Sequence, residues 1–383
     1  MNMKKICFSI GSILAGILCL NSCQNAAPYE DMLYFTGTES SVVKRISTED
    51  PTSIGLSVTA SCKVESEVTV NTEVNAAKVE EYNKKEGTSY KLLPENTYKF
   101  SSTELKIEQG EHVSKSLELT IQNLDKFEPE VTYLLPVSIV QVQGGGLSVL
   151  EASRTVYIIV SKPLRTYAAN ISNRYFKIPF EKHPSSLKLS QLSYEARVCV
   201  NRFQQYSPYI STVMGIEGHF NFRFGDVTIK PNQIQIAGDG VETTVPTELV
   251  AGKWYHLAAV FDAATVKIYV NGKLEISKAT TAPWIDLRDE QKSRGFYIGR
   301  SEGGRPLNGS ISEVRVWNKA LTAKEIVNNM CGVNPLADGL LAYWRINEGE
   351  GNIIHDVTGH GWDAECQGWG NLQWISNVRC PNE

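Results

Sequence analysis

Residues 252–273 read GKWYHLAAVFDAATVKIYVNGK, and this stretch indicates the fold of the C-terminal part of the chain. From Trp254 to Phe261 successive side chains fall on opposite faces of an extended chain, and from Val266 to Val270 apolar and polar residues alternate. This period of two is typical of β-strands. Asn271 and Gly272 form a dipeptide that tolerates positive φ and closes tight hairpins. The stretch therefore predicts two paired strands with a tight turn after the second.

Further short strands follow this hairpin. Strand-like runs lie at Gly309 to Trp317 and at Gly339 to Trp344, and Thr322 with Glu325 forms a capping box that opens one short helix. Together with the hairpin, these motifs resemble the laminin-G-like members of the concanavalin A-like lectin/glucanase family. The resemblance implies a jelly-roll sandwich over residues 164–383. Most domains of this kind bind ligands, and a minority are enzymes.

Residues 34–163 predict a separate β domain with one helix. Apolar side chains alternate from Ile54 to Val64, which predicts a strand with Cys62 in its buried row, and Asn75 to Glu86 has helix composition with Gly87 as its stop. Further landmarks are Tyr90 to Pro94, Ile107 with Gly110, and Tyr133 to Pro136. Their order resembles the N-terminal modules called domain of unknown function 1735. The resemblance implies an immunoglobulin-like β-sandwich, which we interpret as a spacer.

The first 33 residues are typical of an exported lipoprotein. Lys4 and Lys5 precede an apolar run from Ile6 to Leu20, which is shorter than the ~20 residues a membrane-spanning helix needs. Leu20 to Cys23 resembles a bacterial lipobox. We therefore predict a signal peptide over residues 1–22, acylation (palmitate) at Cys23 and a tether over residues 23–33. This implies a lipid anchor in the outer membrane, facing the cell surface.

Charge and cysteine content limit the possible binding partners and disulfide bonds. The chain has a formal net charge of −4 and no basic patch, so we expect no nucleic-acid partner. Of the eight cysteines, Cys7 and Cys19 leave with the signal peptide and Cys23 is acylated. Cys331 and Cys366 are then alternative partners for Cys380 in a disulfide bond.

Motifs for catalysis are absent from the sequence. Glucanases of this fold resemble one another in a strand with Glu-x-Asp-x-x-Glu or Glu-x-Asp-x-Glu, which places two or three carboxylates on one face. Neither pattern occurs, and neither does the G-x-S-x-G motif of serine hydrolases. We predict that the protein is not an enzyme, with a divergent glycan hydrolase or lyase as the alternative.

Aromatic and planar polar residues in loops indicate a carbohydrate ligand. A sugar pairs a weakly apolar ring face with hydroxyl groups, so its site combines an exposed aromatic ring with hydrogen-bonding side chains. The candidate residues lie in Gly-, Pro- or Asp-rich loops. They are Trp284, Trp362, Trp369, Tyr206, Tyr209, Arg300, Arg305 and Asn308.

Three carboxylates in the C-terminal domain could form a metal-binding site. Some relatives in the family that the hairpin resembles bind calcium, which prefers six or more oxygen ligands. Asp356, Asp363 and Asp226 are the candidate ligands for a structural Ca²⁺. The alternative is that Asp356 only caps the turn at Thr358 and Gly359.

These observations combine into one functional expectation. The protein is predicted to be a surface lipoprotein whose jelly roll binds a polysaccharide or a glycoprotein glycan, next to a polysaccharide-uptake complex. The rival from another class is an adhesin that binds a protein partner through an exposed apolar patch.

Overall fold

The computed structural model describes residues 30–128, 131–288, 295–301 and 304–381. The signal peptide, Cys23 and the start of the tether lie outside this range. The chain divides into two units, Met1–Lys162 and Pro163–Glu383. Both consist mainly of β-strands, which confirms the predicted fold class. No helix among the described residues is long and apolar enough to cross a membrane.

Unit 1 contains twelve strands within its described residues. These are β1 (Met32–Phe35), β2 (Val43–Ser47), β3 (Thr52–Leu56), β4 (Val58–Ala60), β5 (Val68–Val74), β6 (Lys91–Leu92), β7 (Tyr98–Phe100), β8 (Glu104–Ile107), β9 (Leu117–Ile121), β10 (Thr132–Gln143), β11 (Ser148–Val149) and β12 (Thr155–Ser161). They form sheets of order β11-β1-β4, β3-β9-β7 and β2-β12-β10-β5-β8, with β6 beside β10.

The core of unit 1 joins all three sheets. Leu33, Leu119 and Leu135 are each fully buried, and they come from three different sheets. The predicted long strand is interrupted after Leu56 and ends at Ala60. Cys62 therefore lies in a bend and is only half-buried, which corrects its predicted place in a buried row.

The predicted helix of unit 1 is present as α1 (Ala77–Glu86). It ends at Gly87, whose φ of 66° suits the left-handed conformation that glycine adopts without steric cost. Tyr82 packs onto Leu134 and Ile159, on the face of the β10–β12 pair that points away from the main core. This sheet is therefore covered on both sides.

Unit 2 contains eighteen described strands. They are β13 (Leu164–Asn170), β14 (Arg174–Ile178), β15 (Lys188–Leu189), β16 (Leu192–Val200), β17 (Ser211–Ile216), β18 (Phe220–Asp226), β19 (Ile229–Ala237), β20 (Thr243–Glu248), β21 (Trp254–Phe261), β22 (Thr265–Val270), β23 (Lys273–Ala279), β24 (Ile285–Asp286), β25 (Phe296–Ile298), β26 (Gly309–Trp317), β27 (Leu340–Trp344), β28 (Ile353–Ile354), β29 (Ala364–Gly368) and β30 (Gln373–Cys380).

Two eight-stranded sheets pack face to face in unit 2. Sheet I has the order β23-β22-β21-β16-β26-β13-β30, with β27 beside β26. Sheet II has the order β20-β19-β18-β17-β25-β14-β29-β28. Their inner faces share one core that includes Leu257 and Phe261 of sheet I and Phe222 of sheet II. This is the concanavalin A-like jelly roll that the sequence predicted.

The hairpin that predicts this fold forms as expected. β21 pairs antiparallel with β22, and Asn271 and Gly272 adopt φ values of 49° and 77° in the turn to β23. The Asn271 side chain also accepts a hydrogen bond from the backbone N–H of His256 at 2.9 Å. A side chain at Gly272 would collide with Val327, so glycine lets a helix pack against this turn.

That helix is α2 (Ala323–Asn329), and its capping box is present as predicted. The Thr322 hydroxyl accepts from the backbone N–H of Glu325, whose carboxylate accepts from the Thr322 backbone N–H. Shortly after the helix, Cys331 forms a disulfide bond with Cys380. Of the two alternative pairings, the structure thus has Cys331–Cys380 and leaves Cys366 as a thiol.

Candidate functional site

The outer face of sheet II carries polar side chains that strand alternation places there. Phe220, Phe222 and Phe224 point into the core, so Asn221 and Arg223 point to the opposite side of β18. In the neighbouring strands, Thr212 of β17 and Gln235 of β19 lie directly opposite Arg223. Asn221 lies opposite Gly215, which in turn lies opposite Tyr297 of β25. Gly215 lies close against β18, because a side chain there would collide with the backbone carbonyl of Phe220. We call Thr212, Asn221, Arg223, Gln235 and Tyr297 the polar face.

Several buried polar atoms of the polar face have no hydrogen-bond partner among the described residues. They are Oδ1 and Nδ2 of Asn221, Oγ1 of Thr212 and Nε of Arg223. Asn221 is only 1% exposed, and Thr212 is completely buried. Burying a polar group without a partner costs free energy, so native proteins keep few such groups. Such atoms can bond to water or to a polar ligand.

Two ion pairs border these groups. Arg223 pairs with Asp226 of the same strand, and Arg305 pairs with Glu217. The backbone carbonyl of Arg305 accepts from Thr212 N–H at 3.0 Å, whereas Glu217 follows the other end of β17. The Arg305–Glu217 pair therefore runs along β17. Burial lowers the pKa of Arg223, and Arg305 lowers it further, while Asp226 and Glu217 oppose this.

One end of sheet II collects most of the aromatic and arginine residues predicted for a ligand. β17 begins there, and β18, β25 and β29 end there, so their loops leave at the same end. The residues that lie there are Tyr206, Tyr209, Arg300, Arg305 and Trp369, and we call them the aromatic rim. Trp369 is 87% exposed and Tyr206 is 78% exposed. Both rings are therefore available to a ligand.

Arg300 and Asn308 have well-defined contacts at the same end. The Arg300 guanidinium lies 4.3 Å from the centre of the Tyr175 ring and 5.9 Å from that of Tyr297. The Asn308 side-chain oxygen accepts a hydrogen bond from the Ser172 hydroxyl at 3.1 Å. Arg300 thus links the aromatic rim to Tyr297 of the polar face. Asn308 instead fixes the loop that contains Ser172.

The two remaining tryptophan candidates lie elsewhere. Trp362 is 7% exposed and packs edge-on against Phe180 at 4.9 Å, so its predicted role as a surface platform is corrected. Trp284 is half-exposed, with Lys188 6.0 Å from its ring. Thr281, close before it in sequence, bonds to Gly240 at the end of sheet II opposite the aromatic rim. Trp284 therefore does not belong to the aromatic rim.

The three aspartates predicted to bind calcium have other roles. The Asp356 carboxylate accepts from the hydroxyl of Thr358 and from three backbone N–H groups, which is the turn-capping alternative. Asp363 accepts from the Asp356 backbone N–H and contacts His355 at 3.0 Å. Asp226 pairs with Arg223 in sheet II. Among the described residues, no group of three or more His, Cys, Asp or Glu side chains is arranged to hold a metal ion.

A second cluster of charge lies on the outer face of sheet I, beneath α2. Glu195, Glu313 and Arg315 are at most 4% exposed. Arg315 pairs with both carboxylates and donates to the carbonyl of Asn329 at the end of α2. Burial alone would raise the pKa of Glu195, but Arg315 and His256 outweigh it and hold that pKa below the usual 4.5. Both carboxylates are paired with Arg315 inside the fold, so we assign them a structural role.

Sequence reasoning missed the polar face itself. The alternation of FNFRF at residues 220–224 does place Asn221 and Arg223 on one side of a strand. Polar residues on the outer side of a sheet are, however, expected to face water. The alternation does not predict that Asn221 is only 1% exposed.

The chain is similar to known proteins over both units. Residues 172–327 match the model of the concanavalin A-like lectin/glucanases superfamily, and residues 29–146 match the model of an N-terminal domain. A Bacteroides ovatus protein described as a "putative carbohydrate binding protein" is 30% identical in sequence, with a TM-score of 0.54. The match covers 91% of this chain and 99% of that one. The chain belongs to the same family as this protein.

A shorter similarity connects the chain to animal proteins. Mouse pappalysin-1 is 33% identical over 79 residues, and human pappalysin-1 is 30% identical over 79 residues. These residues are 21% of this chain and only 5% of pappalysin-1. The chain therefore matches a small part of these curated relatives.

Proposed function

We propose that the protein is a carbohydrate-binding surface lipoprotein whose site consists of the polar face and the aromatic rim. The observation that carries the proposal is that the exposed rings of Trp369 and Tyr206 lie at one end of the sheet whose outer face carries unpartnered polar atoms at Thr212 and Asn221. Sugars need both kinds of contact, because their hydroxyls donate and accept hydrogen bonds while their ring faces stack on aromatic residues. The family relation to the Bacteroides ovatus protein supports the same ligand class.

We propose that the protein binds its carbohydrate ligand without cleaving glycosidic bonds. Glycoside hydrolysis uses two accessible carboxylates that flank the scissile bond. Beside the polar face, Asp226 and Glu217 are each held in an ion pair with an arginine. The ligand would be a polysaccharide or a glycoprotein glycan, held at the outer surface for a neighbouring uptake complex.

A glycan array tests the ligand class. The purified protein, carrying Cys23→Ser to keep it free of lipid, should bind at least one family of polysaccharides or glycans on the array. Bound oligosaccharides should be recovered intact after prolonged incubation, whereas shortened products would support the hydrolase alternative. A folded protein that binds no glycan would contradict the proposal and would favour the adhesin alternative.

The lipid anchor is the second part of the proposal, and it rests on the leader sequence and Cys23. Stable anchoring needs more than one acyl chain, a condition that a tri-acylated cysteine meets. Cells that express the protein should incorporate labelled palmitate into it, and Cys23→Ala should abolish the label. Protease added to intact cells should remove unit 2 if it faces outward. Labelling that persists in Cys23→Ala would contradict the assignment.

A further inference from the structure

We infer that Arg174 is a positioning residue for the carbohydrate site, because it holds the loop that presents Trp369 to the ligand. The inference rests on the proposed function and adds a residue that acts through Trp369. This tryptophan lies in the connection between β29 and β30, residues 369–372, which we call the Trp369 loop. Its side chain is 87% exposed, so packing fixes little of the ring. The place of the ring therefore depends on how the backbone of the loop is held.

The Arg174 guanidinium joins the Trp369 loop to the turn between β13 and β14. Its Nε donates to the backbone carbonyl of Asn371 at 2.7 Å, and its Nη1 donates to the carbonyl of Ser172 at 3.0 Å. A guanidinium group is planar and rigid, so these two bonds hold both carbonyls in a fixed relation. The Trp369 backbone N–H donates to the carbonyl of Asn173 in the same turn at 3.1 Å. Arg174 thus reinforces the backbone contact that Trp369 itself makes.

A second side chain, Asn352, holds the far end of the Trp369 loop. Its Oδ1 accepts from the backbone N–H of Leu372 at 2.7 Å, and its Nδ2 donates to the side-chain oxygen of Asn371 at 2.9 Å. Leu372 is also buried in the core of unit 2. Loss of Arg174 should therefore free the Trp369 end of the loop and leave the fold of unit 2 intact.

This arrangement favours a role in binding over a role in stability. An aromatic ring that is already held in place binds more tightly than a mobile one, because less conformational entropy is lost when the ligand binds. An exposed tryptophan buries little apolar area, so holding it in place contributes little to folding. We therefore expect Arg174 to affect the affinity for the ligand more than the stability of unit 2.

Replacement of Arg174 by methionine tests the inference, because it keeps an apolar stem and removes both hydrogen bonds. Affinity for the glycan found on the array should fall about three- to tenfold. The melting temperature should fall by less than about 4 °C, since the released carbonyls can bond to water. Lys278→Met is the matched control, because Lys278 also donates to a backbone carbonyl, that of Glu242 at 2.7 Å, away from the aromatic rim. It should leave binding unchanged.

Replacement of Arg174 by lysine separates positioning from a direct contact between charge and ligand. Lysine keeps the positive charge but lacks the planar guanidinium that bonds in two directions. Arg174→Lys should therefore lose as much affinity as Arg174→Met, and it is the milder variant should Arg174→Met fail to fold. Full affinity of Arg174→Lys would overturn the inference, because charge alone would then be sufficient.

A double-variant cycle with Trp369→Ala shows whether Arg174 acts through the ring. Where residue 369 is already alanine, Arg174→Met should cause no further loss of affinity. A further loss equal to that of the single variant would mean that Arg174 acts independently of Trp369, which overturns the inference. Unchanged affinity of Arg174→Met, with a loss for Trp369→Ala, also overturns it and leaves the proposed function standing.

Amide hydrogen exchange gives a readout that needs no ligand. In Arg174→Met, peptides that cover the Trp369 loop should exchange faster, whereas peptides from β18 should keep their protection. Unchanged exchange in the loop would show that Arg174 does not hold it. A folded wild type that binds no glycan overturns both the proposed function and this inference, since Trp369 would then have no sugar to meet.

Discussion

Replacing Arg315 with methionine should destabilise unit 2 by about 3–5 kcal/mol. Arg315 is completely buried beneath α2 and pairs with Glu195 and Glu313. It also donates to the carbonyl of Asn329 at 2.7 Å and lies 4.9 Å from the centre of the Tyr343 ring. Methionine keeps much of the volume but leaves two buried carboxylates without their cation. A buried ion pair contributes little net stability, but a buried charge that loses its partner destabilises the fold strongly.

Tryptophan fluorescence during urea unfolding measures this effect selectively. All seven tryptophans lie in unit 2, so their emission reports on this unit without interference from unit 1. Arg202→Met, at an exposed position of the same unit, is the matched control and should change the free energy of unfolding by less than about 0.5 kcal/mol. A loss below about 1 kcal/mol for Arg315→Met would show that the cluster is not a structural element.

Removing the Cys331–Cys380 disulfide bond should cost about 4 kcal/mol in the free energy of unfolding of unit 2. The two cysteines are 49 residues apart, so the bond closes a long loop that includes β27 to β30. The chain-entropy model predicts that a loop of this length strongly limits the unfolded ensemble. The bond also joins the segment after α2 to the last strand of sheet I.

The double variant Cys331→Ala and Cys380→Ala tests this prediction. Cys366→Ala, which removes a half-buried thiol of the same unit, is the control and should cost much less. Adding a reductant to the wild type should reproduce the loss, and it should not affect the double variant. A double variant as stable as Cys366→Ala would mean that the bond contributes nothing to stability.

The sequence predicted best those elements that local pattern determines. The bounds of β21 and β26, the helix stop at Gly87 and the capping box at Thr322 all follow from a few neighbouring residues. The partner of Cys380 cannot be predicted from the sequence, because proximity in sequence does not determine which thiol lies near it. The structure brings Cys331 to it and leaves Cys366 on β29.

The candidate site was predictable only in part, for the same physical reason. Loop composition correctly indicated that Trp369 and Tyr206 are exposed. It indicated the same for Trp362, which is wrong because Phe180, distant in sequence, packs against its ring. Asn221 shows the reverse error, since alternation places it on an outer strand face, where exposure is expected, and it is buried. Burial of Trp362 and Asn221 depends on tertiary structure.

Calorimetric titration of an array-positive oligosaccharide tests whether carbohydrate binds at the polar face and the aromatic rim. Trp369→Ala removes an exposed ring at the rim and should weaken affinity about tenfold. Trp284→Ala removes an exposed ring at the opposite end of sheet II and is the matched control. We expect a loss for Trp369→Ala and wild-type affinity for Trp284→Ala. Wild-type affinity for Trp369→Ala combined with a loss for Trp284→Ala would contradict the location of the site.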